Sequence, residues 1–251
     1  MGSIGDIFKA RKALIAFITA GDPSLSVTEK LVYDLEKAGA DIIELGIPFS
    51  DPLADGPIIQ ASHQRALKKN TSLADVFKLV AKVRKKAAIP ICFMLSYNLI
   101  VQYGEDKFYA DCDKFGVDGV IIPDLPPEEG ARDKGQAARI SFVAPTSSEE
   151  RIKLAAEKSS GFIYLVSVAG ITGVRKKMEG SIGGLVDRVR KYTKLPIAVG
   201  FGISTPAQAK EVAKQADGVI VGSAIVDLVA RKKFKAVVNL VAALRRGVDA
   251  V

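Results

Sequence analysis

One histidine and two cysteines among 251 residues leave little from which to build a metal centre or a nucleophilic relay. Cys92 lies in an apolar run and Cys112 in an expected helix. Their spacing matches no metal-binding or redox pair, so both are expected to be buried, inert thiols. His63 falls in an expected helix over residues 58–68 and reads as a surface or helix-packing residue. No apolar run approaches the roughly 18 residues that a membrane span needs. The amino terminus, Met1 to Asp6, has neither a signal-peptide apolar core nor the Ser or Thr of a myristoylation signal. A cytoplasmic location with no membrane partner is the expectation. The net charge of +8 raises nucleic acid as a partner. Against that, the Lys and Arg are spread along expected helices, with no aromatic residues interleaved for base stacking. Solvated helix faces account for most of the charge, and attraction of an anionic substrate adds to it.

What is present is alternation. Eight short apolar runs, at 13–19, 41–46, 90–95, 119–122, 140–144, 162–167, 197–200 and 218–221, are separated by amphipathic, Lys-rich stretches. Runs that are apolar throughout suit parallel strands buried on both faces. Helices are expected over 24–38, 73–86, 108–115, 149–158, 185–192, 207–215 and 226–246, with only a weak helical signal between Asp124 and Ile140. A junction recurs before the second, fourth and eighth strands: Gly39-Ala40-Asp41, Gly116-Val117-Asp118 and Ala216-Asp217, each leading into a β-branched strand. Its period is not fixed, which excludes a solenoid. Eight β/α alternations with no linker-like segment predict an α/β chain forming a single (β/α)8 barrel, one domain over residues 1–251. A doubly wound open sheet is the alternative.

Within the second strand, Glu44 shares a face with Ile42 and Gly46, while Ile43 and Leu45 take the other. Both faces are apolar, so Glu44 is no ordinary solvated charge. It stands near the strand's carboxyl end, where barrel enzymes place their chemistry. Partial burial would raise its pKa toward neutrality and fit it to give and take a proton. The alternative is a glutamate locked in a buried ion pair with Lys or Arg. Asp55 follows in a loop stiffened by Pro and Gly, Ser50-Asp51-Pro52-Leu53-Ala54-Asp55-Gly56-Pro57. Asp51 and Asp55 could simply cap turn amides there. The loop is also long enough to carry Asp55 over the barrel mouth toward Glu44, and two carboxylates in unlike settings can take opposite proton-transfer roles.

Three glycine clusters follow the last strands: Ala169-Gly170-Ile171-Thr172-Gly173, Gly200-Phe201-Gly202-Ile203-Ser204 and Val221-Gly222-Ser223-Ala224-Ile225. Barrels commonly bind phosphate there with backbone amides and a helix start. Arg175, Lys176 and Lys177 lie nearby and read as a solvated loop.

Across nearly its whole length the chain resembles the tryptophan synthase α-subunit family. The resemblance is carried by Thr19-Ala20-Gly21-Asp22-Pro23, by the run from Glu44 to Pro57, and by the three glycine clusters in that order. It implies a lyase that splits indole-3-glycerol phosphate into indole and glyceraldehyde 3-phosphate by a retro-aldol route. Glu44 matches the acid–base glutamate, and Asp55 the aspartate that holds the indole N–H. Tyr164 and Thr172 match residues shaping the site, Phe17 and Ile59 the apolar residues around the indole. Gly173, Phe201, Gly202, Gly222 and Ser223 match the phosphate-binding positions. The resemblance further implies no cofactor in this chain and a β-subunit partner carrying pyridoxal phosphate in an α2β2 assembly, with the Asp51-Pro52 edge part of the contact. A poorly active chain that activates a β subunit, and a free-standing indole-releasing lyase, are the rival readings. Three departures stand out: residues 126–140 are a few positions short, Ser96 stands where an aromatic residue is expected, and Ala16 replaces a frequent proline.

Overall fold

A computed structural model describes residues 4–52, 55–129, 135–166, 182–200 and 202–251. Eight parallel strands close into a barrel in sequence order: β1 (Ala13–Thr19), β2 (Ile42–Gly46), β3 (Ile91–Met94), β4 (Gly119–Ile121), β5 (Ala138–Val143), β6 (Ile163–Val166), β7 (Ile197–Gly200) and β8 (Gly218–Val221). The final pairing joins β1 to β8, with Ala13 opposite Gly218. This is the (β/α)8 barrel that the alternation predicts.

Alternate strand residues separate two apolar layers. Ile15, Ile42, Cys92, Ile121, Ile140, Tyr164 and Ile220 fill the barrel interior. Leu14, Ile43, Leu45, Phe93, Val120, Leu165 and Val219 face the surrounding helices. Both layers are buried, which is why the strands read as unbroken apolar runs. The amino end of the barrel is closed by α1 (Ile4–Ala10), too short to show in the sequence pattern. Its Phe8 packs on Phe162 with ring centroids 5.5 Å apart.

Outside lie α2 (Leu25–Lys37), α3 (Pro57–Leu67), α4 (Leu73–Val83), α5 (Tyr97–Tyr103), α6 (Glu105–Phe115), α7 (Glu149–Lys158), α8 (Ile182–Arg190), α9 (Pro206–Ala213), α10 (Ser223–Ala230) and α11 (Phe234–Asp249). Ser24, Ser72, Ser148 and Thr205 accept backbone N–H bonds at the starts of α2, α4, α7 and α9, satisfying donors a helix start leaves open. One expected helix, over 226–246, is in fact two. The chain breaks at Arg231–Lys233, where Lys232 takes φ +56. No helix occurs between β4 and β5 among the described residues. A cavity of about 370 Å³ lies beside those strands, lined by Val120, Ile122, Arg139 and Ser141.

The recurrent junction has a structural explanation. In each case the aspartate exchanges two hydrogen bonds with the start of the preceding strand. Leu14 N–H donates to Asp41 Oδ2 at 2.7 Å, and Asp41 N–H donates to Leu14 O at 2.8 Å. Asp118 makes the same pair with Ile91 at 2.8 and 2.9 Å. Asp217 makes it with Ile197 at 2.9 and 2.8 Å. An arginine completes each carboxylate: Arg11 and Arg245 on Asp41, Arg84 on Asp118, Arg190 on Asp217. All three sit at the amino end of the barrel, opposite the site.

Among the described residues no helix is long and apolar enough to cross a membrane. Cys92 and Cys112 are free and buried, as expected, and burial pushes both thiols up.

Candidate active site

Glu44 points into the barrel from β2, in register with Phe17 on β1 and Cys92 on β3. It is 1% exposed. Its Oε2 has no hydrogen-bond partner, and no ion pair to it occurs among the described residues. The buried ion pair that would make Glu44 purely structural is therefore not found there. Burial, and secondly the charge of Asp55, raise its pKa to about 8. Two positions on, Gly46 leaves room for the Phe17 ring: a Cβ there would stand 2.6 Å from Phe17 Cζ. Opposite, Tyr164 rises from β6 into the interior beside Phe142, with ring centroids 4.5 Å apart. A Cβ on Gly200 would meet the Tyr164 hydroxyl at 2.8 Å. Burial keeps Tyr164 protonated, with its pKa well above the ordinary value.

Asp55 reaches the same space from the loop after β2, and that loop is tied down. Asp55 N–H donates to Pro52 O at 3.1 Å, and Gln60 Nε2 donates to Asp55 O at 2.8 Å. Gly56 and Pro57 start α3 immediately afterwards, Pro being suited to the first helical position. The Asp55 side chain is 11% exposed, and burial raises its pKa to about 6. Asp51 accepts instead from the neighbouring Ser50 hydroxyl at 2.6 Å, a side-chain bond rather than the capping of a turn amide.

One cavity of about 620 Å³ is lined by Phe17, Glu44, Asp55, Ile59 and Tyr164 together with Gly202, Gly222 and Ser223. Eight of the site residues read from the sequence thus share one space. Thr172, Gly173 and Phe201 lie outside the described residues, as do Arg175, Lys176 and Lys177. Gly202 turns the chain after β7 with φ +74, a conformation that favours glycine. Gly222 precedes α10, whose first turn has no side-chain cap. Its amide end therefore suits an anion. A second cavity of about 240 Å³ shares Phe17 and Asp55 with the first and extends to Asp51, Pro52, Ser96 and Asn98. No cluster of metal-ligating side chains occurs among the described residues.

The sequence reading assigned neither Phe142 nor His63 to the site. Phe142 lines the cavity two positions after Ile140 on β5, and strand alternation alone would have found it. His63 corrects the surface alternative outright: it is 4% exposed, with Nε2 3.4 Å from Asp55 Oδ2. It lies four residues after Ile59, on the same face of α3. That spacing was the available signal.

Proton-carrying groups at the carboxyl end of a closed parallel barrel define a class: a barrel enzyme working by acid–base catalysis. The tryptophan synthase alpha chain family model matches residues 6–248. The chain belongs to that family. The tryptophan synthase alpha chain of Geotalea daltonii is 51% identical over 236 residues, 90% of this chain and 89% of that one. The alpha chain of Geobacter sulfurreducens is 48% identical over 248 residues, 95% and 94% of the two chains. Among solved structures, tryptophan synthase subunit alpha from Legionella pneumophila superposes with a TM-score of 0.90 at 36% identity, covering 100% of each chain. Tryptophan synthase from Mycobacterium tuberculosis gives 0.89 at 34% identity, covering 99% of each. The protein is accordingly a carbon–carbon lyase of tryptophan biosynthesis that cleaves indole-3-glycerol phosphate.

Proposed function

We propose that Glu44 and Asp55 divide the retro-aldol cleavage between them, the whole of residues 1–251 acting as one catalytic domain. The observation that carries this is one cavity holding two carboxyl groups with separated proton affinities, about 8 and about 6. Near neutral pH Glu44 keeps its proton and Asp55 is largely ionised. Asp55 accepts the indole N–H and stabilises the positive charge that appears on the ring when its carbon is protonated. Glu44 gives that proton to the ring carbon bearing the side chain. As the carboxylate, it then takes the proton of the adjacent side-chain hydroxyl. The carbon–carbon bond breaks toward the ring, the hydroxyl becomes the aldehyde of glyceraldehyde 3-phosphate, and indole leaves. Glu44 ends protonated, as it began. Phe17, Ile59 and Tyr164 surround the indole, with Thr172 supporting the carboxylates. The phosphate lies at Gly173, Phe201, Gly202, Gly222 and Ser223, where the opening amides of α10 and the net positive charge favour it.

Only proton transfers are required, so this chain calls for no cofactor of its own. Its partner is a β subunit carrying pyridoxal phosphate in an α2β2 assembly, which receives the indole and docks along the Asp51–Pro52 edge. The setting is the cytoplasm.

The test is indole release from indole-3-glycerol phosphate, with this chain alone and with a β subunit, from about pH 5 to about pH 9. Asp55 must be ionised, which sets the acid limb near pH 6. Glu44 must be protonated, which sets the basic limb near pH 8. A bell between those limbs, with faster release when the β subunit is present, is the expected result. Absence of indole under both conditions would overturn it. In that case, acceleration of the β reaction by this chain would favour the activating-partner reading.

A further inference from the structure

His63 is the only histidine in the chain, and its surroundings are more specific than helix packing requires. It sits on α3 with Ile59 and Ala66, and α3 begins two residues after Asp55. The Phe49 N–H donates to His63 Nδ1 at 3.1 Å. That bond occupies the Nδ1 lone pair, so the neutral ring carries its proton on Nε2. Nε2 lies 3.4 Å from Asp55 Oδ2, not yet aligned as a hydrogen bond, and has no other partner. Phe49 follows the strand that carries Glu44, and α3 follows the loop that carries Asp55. One imidazole therefore spans the two segments that deliver the two carboxylates. Burial pushes the ring down to about 4, against the opposing charge of Asp22, so it is a neutral donor throughout the working range.

We propose that His63 is a positioning residue for Asp55: its Nε2–H engages Asp55 Oδ2 and leaves the other carboxylate oxygen for the indole N–H. This rests on the assignment of Asp55 as the indole-binding carboxylate. A donor held at one oxygen fixes the rotation of the carboxylate and favours its anionic form. At 3.4 Å the two atoms already stand within reach of such a bond. Other charges bear on the pair. Glu44 on β2 and Tyr164 on β6 interact with Asp55, and Asp51 and Asp124 line the adjoining cavity. Asp22, paired with Arg65 at 2.8 Å, faces the imidazole.

Three variants separate positioning from packing. His63→Gln puts an amide N–H near the place of Nε2. His63→Asn puts an oxygen near the place of Nδ1 and keeps only the Phe49 contact. His63→Leu fills the space with neither. Two readouts are taken on the full chain: kcat and KM for indole-3-glycerol phosphate, and titration of the Asp55 carboxyl by ¹³C NMR. We expect His63→Leu and His63→Asn to lower kcat by about tenfold with KM within about twofold. Asp55 should titrate at least about half a pH unit higher in both. His63→Gln should restore both readouts most of the way. Equal rescue by His63→Asn and His63→Gln would overturn the proposal, because the Phe49 contact would then suffice. An unchanged Asp55 titration in His63→Leu, or in His63→Asn should His63→Leu not fold, would overturn it too. The titration needs no turnover, so it judges His63 even if the wild-type chain releases no indole, which would instead refute the role given to the two carboxylates.

Discussion

Glu44→Gln is expected to lower indole release by about 10²–10⁴-fold, the span a positioned general acid–base group contributes, while making the protein more stable above neutral pH. The two effects share one cause. In the folded chain Glu44 is buried without a partner on Oε2, and its pKa rises from 4.5 to about 8. Between those values the folded protein holds a proton that the unfolded chain has released. Stability therefore falls as pH climbs from about 4.5 through about 8, and no further above that. Glutamine has nearly the same shape and no charge, so it escapes this cost. After allowance for an amide left short of hydrogen bonds, the gain at pH 8 is of order 1–3 kcal/mol. Urea midpoints at pH 5 and pH 8, beside the indole assay, check both halves. Turnover within about threefold of wild type, or an unchanged loss of stability with pH, would mean that Glu44 is neither the proton carrier nor a strained group.

That strain is legible in the amino-acid sequence, and the reason is physical. A carboxylate in a strand apolar on both faces has no low-cost explanation other than a partner or a function. The barrel is legible for a related reason. Strands buried on both sides leave short, wholly apolar runs, and β1, β7, β8 and α7 have the boundaries that those runs and their flanking polar residues imply. The failures occur where pattern is too short or where three-dimensional contact decides. At seven residues each, α1 and α5 span about two turns, fewer than periodicity needs. The continuous apolar period across 226–246 conceals a break made by a left-handed Lys232. Asp55 can be placed in a stiff loop, but nothing local states that Phe49 and His63 pin that loop from 14 residues apart. The junction aspartates can be seen as a repeat, whereas their arginines come from α8, α11, the residue that caps the end of α4 and the segment after α1, and only the closed barrel brings them together.

Asp41→Ala should cost about 3–5 kcal/mol of folding stability, the range for removing one member of a buried ion pair. Asp41 sits three residues before Glu44, so this segment holds two buried carboxyl groups whose settings are opposite. Asp41 accepts from Leu14 N–H and from Arg245 at 2.7 Å each, with Arg11 on its other oxygen. Every lone pair that matters has a donor, and the charge is matched. Alanine would leave the Arg245 guanidinium, on a residue 7% exposed, without its carboxylate on that side, and would release the start of β1 from the junction before β2. A drop in melting temperature of roughly 10 °C should accompany the loss. Asp41→Asn, which keeps an acceptor for Leu14 but not the charge, should fall between. Calorimetry and urea unfolding measure the cost, and a loss below about 1 kcal/mol would show that the cluster is held as loosely as a surface pair. Indole release per folded molecule should stay near wild type, because Asp41 is at the amino end of the barrel and the chemistry is at the other. The same strand is thus anchored by a satisfied carboxylate at its base and made reactive by an unsatisfied one near its tip.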